Sequence, residues 1–421
     1  MKRILVLVFI FFSSSSCWSY ENLEAELKSG TTMSLTQFQG EGKKLLLWLP
    51  SERGFGQGYI SVALNLSLLE YNVWAVHLHE SYIIPTGRNS LNGVEINDLL
   101  ELIDQAQQQG FEDVYLVSSS RGVLLSLKTA YQYQKLNQKS ELLKGLLIFS
   151  PYLLTGNTEM GQDAVYDEIA SFSNLPVYML QPQYGTKFAR SREIAGQLQQ
   201  GGSPVFMQVL RGAQAGFYMR PDEDLTEQDL KMREQLPRIL DNAINLLKQS
   251  RPSKFIDLYQ PVKAVGEEKR SFIKEPALHP FKGNKSAPSL LLKNLKNNTL
   301  DIKELKDSVV LVNFWATWCG PCVEEIPSLS RLVDHMQGKP FKVVAVNIGE
   351  SPEKIQKFVK SIPVNFEILL DTDGNAVRDW KVYAYPSNYL LDKNGQIQFA
   401  YRGALQWDAE NIINTIDSLL E

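Results

Sequence analysis

The chain has 421 residues, of which 44% are hydrophobic and 21% charged, and its formal net charge is −4. That length carries two or three domains with full cores, and the slightly acidic balance leaves no basic footprint for nucleic acid. Three cysteines, Cys17, Cys319 and Cys322, do not make a structural disulfide framework at this size, so packing has to carry the stability.

Lys2-Arg3, the apolar residues 4–12 and the small residues up to 19 read as a signal peptide over 1–19. The apolar run is too short to span a bilayer. The mature protein is therefore expected to be periplasmic or otherwise extracytoplasmic. Cys17 has two readings: cleavage nearby discards it, or it is the lipidated cysteine of a lipoprotein and supplies a lipid anchor. Ser14-Ser15-Ser16 lacks the large apolar residue usual three positions before a lipidated cysteine, which favours cleavage.

Residues 20–250 alternate between apolar strands and amphipathic helices. Strands are expected at 45–49, 72–77, 113–118, 145–149, 176–180 and 204–209. Helices are expected at 96–109, at 123–133 and at 225–248, the last interrupted near Pro237. Such alternation predicts an α/β fold, a parallel sheet with helices on both faces. Residues 251–285 break the periodicity with scattered prolines and charges and read as a Pro-rich connector. His279, within it, has no partner that sequence identifies.

A buried strand over 309–315 stops at Cys319-Gly-Pro-Cys322 and is followed by a helix over 323–336. The first sulfur then sits among the free N–H groups of a helix N-terminus, which stabilise negative charge and populate the nucleophilic thiolate. The second thiol, one turn on, can attack the mixed disulfide formed by the first. A zinc site would need two further ligands, and neither Cys17 nor the solitary His335 supplies them. The reading is redox chemistry with no metal and no cofactor.

Trp318-Cys319-Gly320-Pro321-Cys322 resembles the active site of the thioredoxin superfamily, and the run 313–319 resembles its TlpA/ResA-like branch of extracytoplasmic thiol-disulfide oxidoreductases. The resemblance covers about the last third of the chain and implies a thioredoxin fold over 286–421. Pro386 stands where the superfamily has a cis-proline facing the disulfide, and Tyr385 before it is expected to touch substrate, with Trp318 opposite. Glu325 matches a glutamate of the ResA-like motif; it shares a helix face with Cys322, and a partly desolvated carboxyl there suits it to move the proton of the resolving thiol. Thioredoxin's own buried acid, in the preceding strand, is replaced here by Asn313. The resemblance implies that Cys319 attacks, Cys322 resolves and Glu325 assists. The partners implied are a disulfide-bearing protein substrate and a membrane thiol-electron donor. Reduction is the expected direction; oxidase or isomerase action is the alternative.

Ser118-Ser-Ser-Arg-Gly122, between a strand and a helix, resembles the nucleophile elbow of the α/β-hydrolase fold, with Ser120 in the nucleophile position. The loop where that fold supplies its histidine reads Arg211-Gly-Ala-Gln-Ala-Gly-Phe217 and has none. Residues 20–250 are thus expected to be a catalytically degenerate hydrolase-like domain with Ser120 a vestigial nucleophile, used for binding or positioning. An active serine hydrolase, with His77 or His79 as an unusual base, is the rival and would make the chain a two-enzyme fusion.

Overall fold

The short apolar runs of the first half form the middle of a sheet, and their alternation assigns its two faces. The computed structural model describes residues 20–138, 140–156, 158–255, 257–259 and 276–421. The expected signal peptide, with Cys17, lies outside the described residues, as do residues 256 and 260–275 of the expected connector. The described residues form two units, one within Met1–Leu154, Tyr166–Gly185 and Ser191–Ala264, the other within Thr155–Val165, Thr186–Arg190 and Val265–Glu421.

The first unit holds β1 (Tyr20–Glu26), β2 (Thr32–Phe38), β3 (Lys44–Trp48), β4 (Tyr71–Val76), β5 (Asp113–Ser119), β6 (Leu143–Phe149), β7 (Val177–Tyr184) and β8 (Val205–Gln214). Their order across the sheet is β1-β2-β4-β3-β5-β6-β7-β8. The pairs from β4 to β8 are parallel, whereas β1–β2 and β2–β4 are antiparallel. The sheet is therefore mixed, not purely parallel as the sequence suggested. The two extra strands carried no apolar run: β1, Tyr-Glu-Asn-Leu-Glu-Ala-Glu, is an edge strand with most side chains exposed.

The helices are α1 (Tyr59–Ser67), α2 (Leu78–Ser81), α3 (Ile96–Gln108), α4 (Gly122–Leu136), α5 (Ser191–Gln200) and α6 (Glu227–Gln249). Leu45 and Leu47 of β3 pack with Leu99, Ile103, Leu127 and Ile194 of α3, α4 and α5. Leu46 and Trp48 point the other way, among Val62 and Leu66 of α1 and Leu236, Leu240 and Ile244 of α6. The expected break at Pro237 does not occur; α6 runs through it. A capping box between Thr226 and Asp229 starts that helix, and its continuous buried stripe holds it on the sheet across the missing N–H. Between β5 and α4 the chain turns sharply at Ser120, which has φ +49°. At Gly122 a Cβ would stand 2.1 Å from the Pro50 carbonyl oxygen, so the turn admits only glycine there.

The second unit comprises β9 (His279–Pro280), β10 (Leu291–Asn294), β11 (Thr299–Asp301), β12 (Val309–Trp315), α7 (Gly320–His335), β13 (Phe341–Ile348), α8 (Pro352–Ser361), β14 (Glu367–Asp371), α9 (Asn375–Asp379), β15 (Ser387–Leu391), β16 (Ile397–Arg402) and α10 (Glu410–Leu420). The sheet order is β11-β10-β14-β13-β12-β15-β16-β9. His279 finds its place here, opposite Ala400. Parallel pairing is confined to β12–β13 and β13–β14. β12 is central and fully buried. Its Val310, Val312 and Phe314 join Trp380 and Tyr389 on one face, while Val309 and Leu311 join Leu329, Leu332, Trp407 and Ile416 on the other. The period of two puts Asn313 on the second face, under α7. Helix α8 starts as its local sequence dictates: the N-cap Ser351 accepts the Lys354 N–H with its side chain, and Pro352 occupies the first turn.

Candidate active site

Strand β12 ends at Trp315 and α7 begins at Gly320, so the intervening residues must turn from sheet to helix within four positions. Cys319 is the N-cap of α7, and its carbonyl accepts the Val323 N–H at 3.1 Å. Cys319 and Cys322 are joined as a disulfide with Cα atoms 5.2 Å apart. Cys319 is 8% exposed and Cys322 0%, so the first sulfur is the one an incoming group can reach.

The turn is fixed by a carboxylate that sequence reasoning missed. Glu350, fully buried after β13, accepts the Thr317 N–H at 2.7 Å, the Thr317 hydroxyl at 2.5 Å and the Asn347 amide at 2.9 Å. The Lys354 ammonium lies 2.8 Å from it, which balances its charge. Three donors and a cation on one buried carboxylate pin Thr317, two residues before Cys319. Nothing local in Gly349-Glu350-Ser351 marks this role, because its partners are distant in sequence.

On the other side of the pair, Tyr385–Pro386 is a cis peptide bond. The Tyr385 ring meets Trp318 edge-on with centroids 5.7 Å apart. Trp318 and Tyr385 are half-buried and Pro386 is buried. The structure thus brings Trp318, Tyr385 and the cysteine pair into one neighbourhood, since Trp318, Cys319, Cys322 and Tyr385 share one apolar cluster.

Glu325 lies one turn beyond Cys322 and both are buried. Its Oε1 accepts the Asn313 amide at 2.7 Å, and its Oε2 accepts the Leu405 N–H at 3.2 Å and the Trp407 indole N–H at 3.1 Å. Asn313 also donates to Asn388, its partner across β12 and β15, at 2.6 Å. Burial pushes the Glu325 carboxyl up from its ordinary 4.5 to about 7, against the opposing pull of those three donors. Among the described residues no group of three or more His, Cys, Asp or Glu is placed to hold a metal ion.

Ser120 stands in the other unit, at the end of β5. Its hydroxyl donates to Glu52 Oε1 at 3.1 Å, and the Arg121 N–H donates to Glu52 Oε2 at 3.2 Å. His77 is hydrogen-bonded to Thr36 and His79 to Ser90. Gln214 accepts from Arg220. Glu52 was not singled out from sequence; it accepts both the Ser120 hydroxyl and the adjacent Arg121 N–H.

Residues 284–400 match the AhpC/TSA family. The chain is similar to the thiol-disulfide oxidoreductase ResA of Bacillus subtilis, 31% identical over 135 residues, which are 32% of this chain and 74% of that protein. It is also similar to the thioredoxin-like protein YneN of the same bacterium, 37% identical over 123 residues, 28% of this chain and 71% of that protein. Among solved structures, a candidate thiol:disulfide interchange protein DsbE from Chlorobium tepidum is 29% identical, with 34% of this chain and 100% of that chain covered and a TM-score of 0.32.

The raised carboxyl makes a stability prediction with a definite sign. A group whose folded pKa lies above its unfolded one contributes stability that is complete below the unfolded value and is lost as pH rises through the folded value. For Glu325 that window runs from 4.5 to about 7. The loss over it is roughly 3 kcal/mol. Denaturant unfolding of the second unit at pH 5 and pH 8 should therefore show a larger fall for the native protein than for Glu325→Gln, and equal falls would contradict the assignment.

Proposed function

The chain belongs to the thioredoxin-like thiol-disulfide oxidoreductases represented by ResA, and we propose that it is an exported reductant of protein disulfides. The observation that carries the reading is the inequality of the two sulfurs: Cys319 caps a helix and is partly accessible, and Cys322 is closed off. In the reduced enzyme the Cys319 thiolate attacks one sulfur of a client disulfide, and the other client sulfur leaves with a proton from solvent. Cys322 gives its proton to the Glu325 carboxylate and attacks the Cys319 sulfur. The remaining client sulfur leaves, and the Cys319–Cys322 bond closes. Two electrons pass from the pair to the client. A carboxyl titrating near neutrality is matched to taking up and releasing that proton.

Trp318, Tyr385 and Pro386 frame the groove in which an extended client segment lies. The Gly-Pro dipeptide resembles that of reducing thioredoxins, which supports reduction over oxidase or isomerase action. A reductant outside the cytoplasm needs recharging, and a membrane thiol-electron donor is the partner that chemistry asks for. Export rests on residues 1–19, as does any lipid anchor through Cys17. Among the described residues no helix is long and apolar enough to cross a membrane.

For the first unit we propose an α/β-hydrolase-like domain that has lost catalysis and serves binding or positioning. The strand order and the left-handed Ser120 between β5 and α4 support it. The same Ser120 favours the rival, an active serine hydrolase in a two-enzyme fusion. Against the rival, a serine without a basic imidazole is a poor nucleophile, and Glu52 occupies both its hydroxyl and the adjacent N–H.

Two experiments test these readings. In the reduced protein Cys319 should alkylate faster than Cys322 at mildly acidic pH, and Cys322→Ser should accumulate mixed disulfides through Cys319; faster labelling of Cys322, or no trapped species with any disulfide substrate, would overturn the assignment. A fluorophosphonate should leave Ser120 unlabelled, with ester turnover no higher than in Ser120→Ala. Stoichiometric labelling of Ser120 would establish the rival instead.

A further inference from the structure

We propose that Trp407 is a positioning residue for the redox site: its indole N–H, with the Leu405 N–H, holds the Glu325 carboxylate and thereby sets how tightly that carboxyl keeps a proton. This rests on Glu325 being the proton carrier of the resolving step. Oε2 of Glu325 is shared between Trp407 Nε1 at 3.1 Å and Leu405 N at 3.2 Å. The loop that presents both donors is tied to α7 by a further link. Ser328, one turn beyond Glu325, donates to the Glu325 carbonyl at 2.8 Å and accepts the Trp407 N–H at 3.1 Å. Trp407 is fully buried, so its N–H has no water with which to replace the carboxylate.

All three groups aimed at the carboxylate are donors, and this decides the sign. An ionised carboxylate satisfies Asn313, Leu405 and Trp407 together, whereas a protonated one carries an O–H that must find an acceptor and leaves a donor facing a hydrogen. Each donor therefore lowers the proton affinity that burial raises. Among the described residues no cation pairs with Glu325. Asn313 of β12, Asn388 of β15, Ser328 of α7 and Leu405 are neutral. Glu324 lines the same cavity, of about 260 Å³, as Glu325 and Leu405. Arg331 and Asp408, nearby in sequence, are paired with each other at 2.6 Å. Among the described residues, the two thiols of the reduced enzyme are further titratable groups near this cluster.

The test follows the Glu325 carboxyl itself, by its carbon NMR resonance across pH in the full chain. Trp407→Phe removes the N–H and keeps an aromatic ring. Benzothienylalanine at position 407 removes it with the ring shape retained, which covers the case in which the phenylalanine variant folds poorly. Both should raise the Glu325 midpoint by about one pH unit, the size expected for losing one hydrogen bond to a charged group. An unmoved midpoint in a folded variant overturns the proposal. The reading beneath it is tested separately by thiol-disulfide exchange rates: Glu325→Gln with an unchanged pH–rate profile removes Glu325 from the reaction, whereas a shifted midpoint still assigns its proton affinity to Trp407.

Discussion

A buried strand that must turn into a helix within four residues is the constraint on which the redox unit depends. β12 is central, paired on one side with β13 and on the other with β15, so its end cannot move without breaking two ladders. Cys319 inherits that fixity and sits where the first free N–H groups of α7 favour a thiolate. Glu350 completes the arrangement from the far side by taking both donors of Thr317. A pair of thiols on a mobile loop would have the same composition and none of this bias.

Two buried carboxylates bracket the cysteines, and their different surroundings give them different work. Glu350 has an ammonium partner and three donors, so it acts as a brace. Glu325 has donors and, among the described residues, no cation, which leaves it near the balance between burial and hydrogen bonding. One carboxyl is suited to hold the backbone still, the other to change its protonation during a reaction.

Much of this was legible in the residues. The apolar run before Cys319 and the helix start at Ser351-Pro352 are local strings whose conformations follow from their own chemistry. The sheet of the first unit was legible only where strands were apolar. β1 and β2 are partly polar, and nothing but their partners makes them strands. Glu52, Glu350 and Trp407 were illegible for a common reason. Each acts across a long stretch of chain, 68, 33 and 82 residues respectively, on a group that no periodicity connects to it. Asn313 lay between these cases: sequence showed that it could not carry a proton, and the fold shows that it holds the group that can.

The direction of electron flow is the claim on which the account turns, and the reduction potential of the Cys319–Cys322 pair measures it most directly. Equilibration of the full chain against dithiothreitol and glutathione couples at pH 7 should place the pair near the reducing thioredoxins, at about −270 mV. A value near about −120 mV, the range of strong disulfide oxidants, would contradict the account and make the enzyme a donor of disulfides.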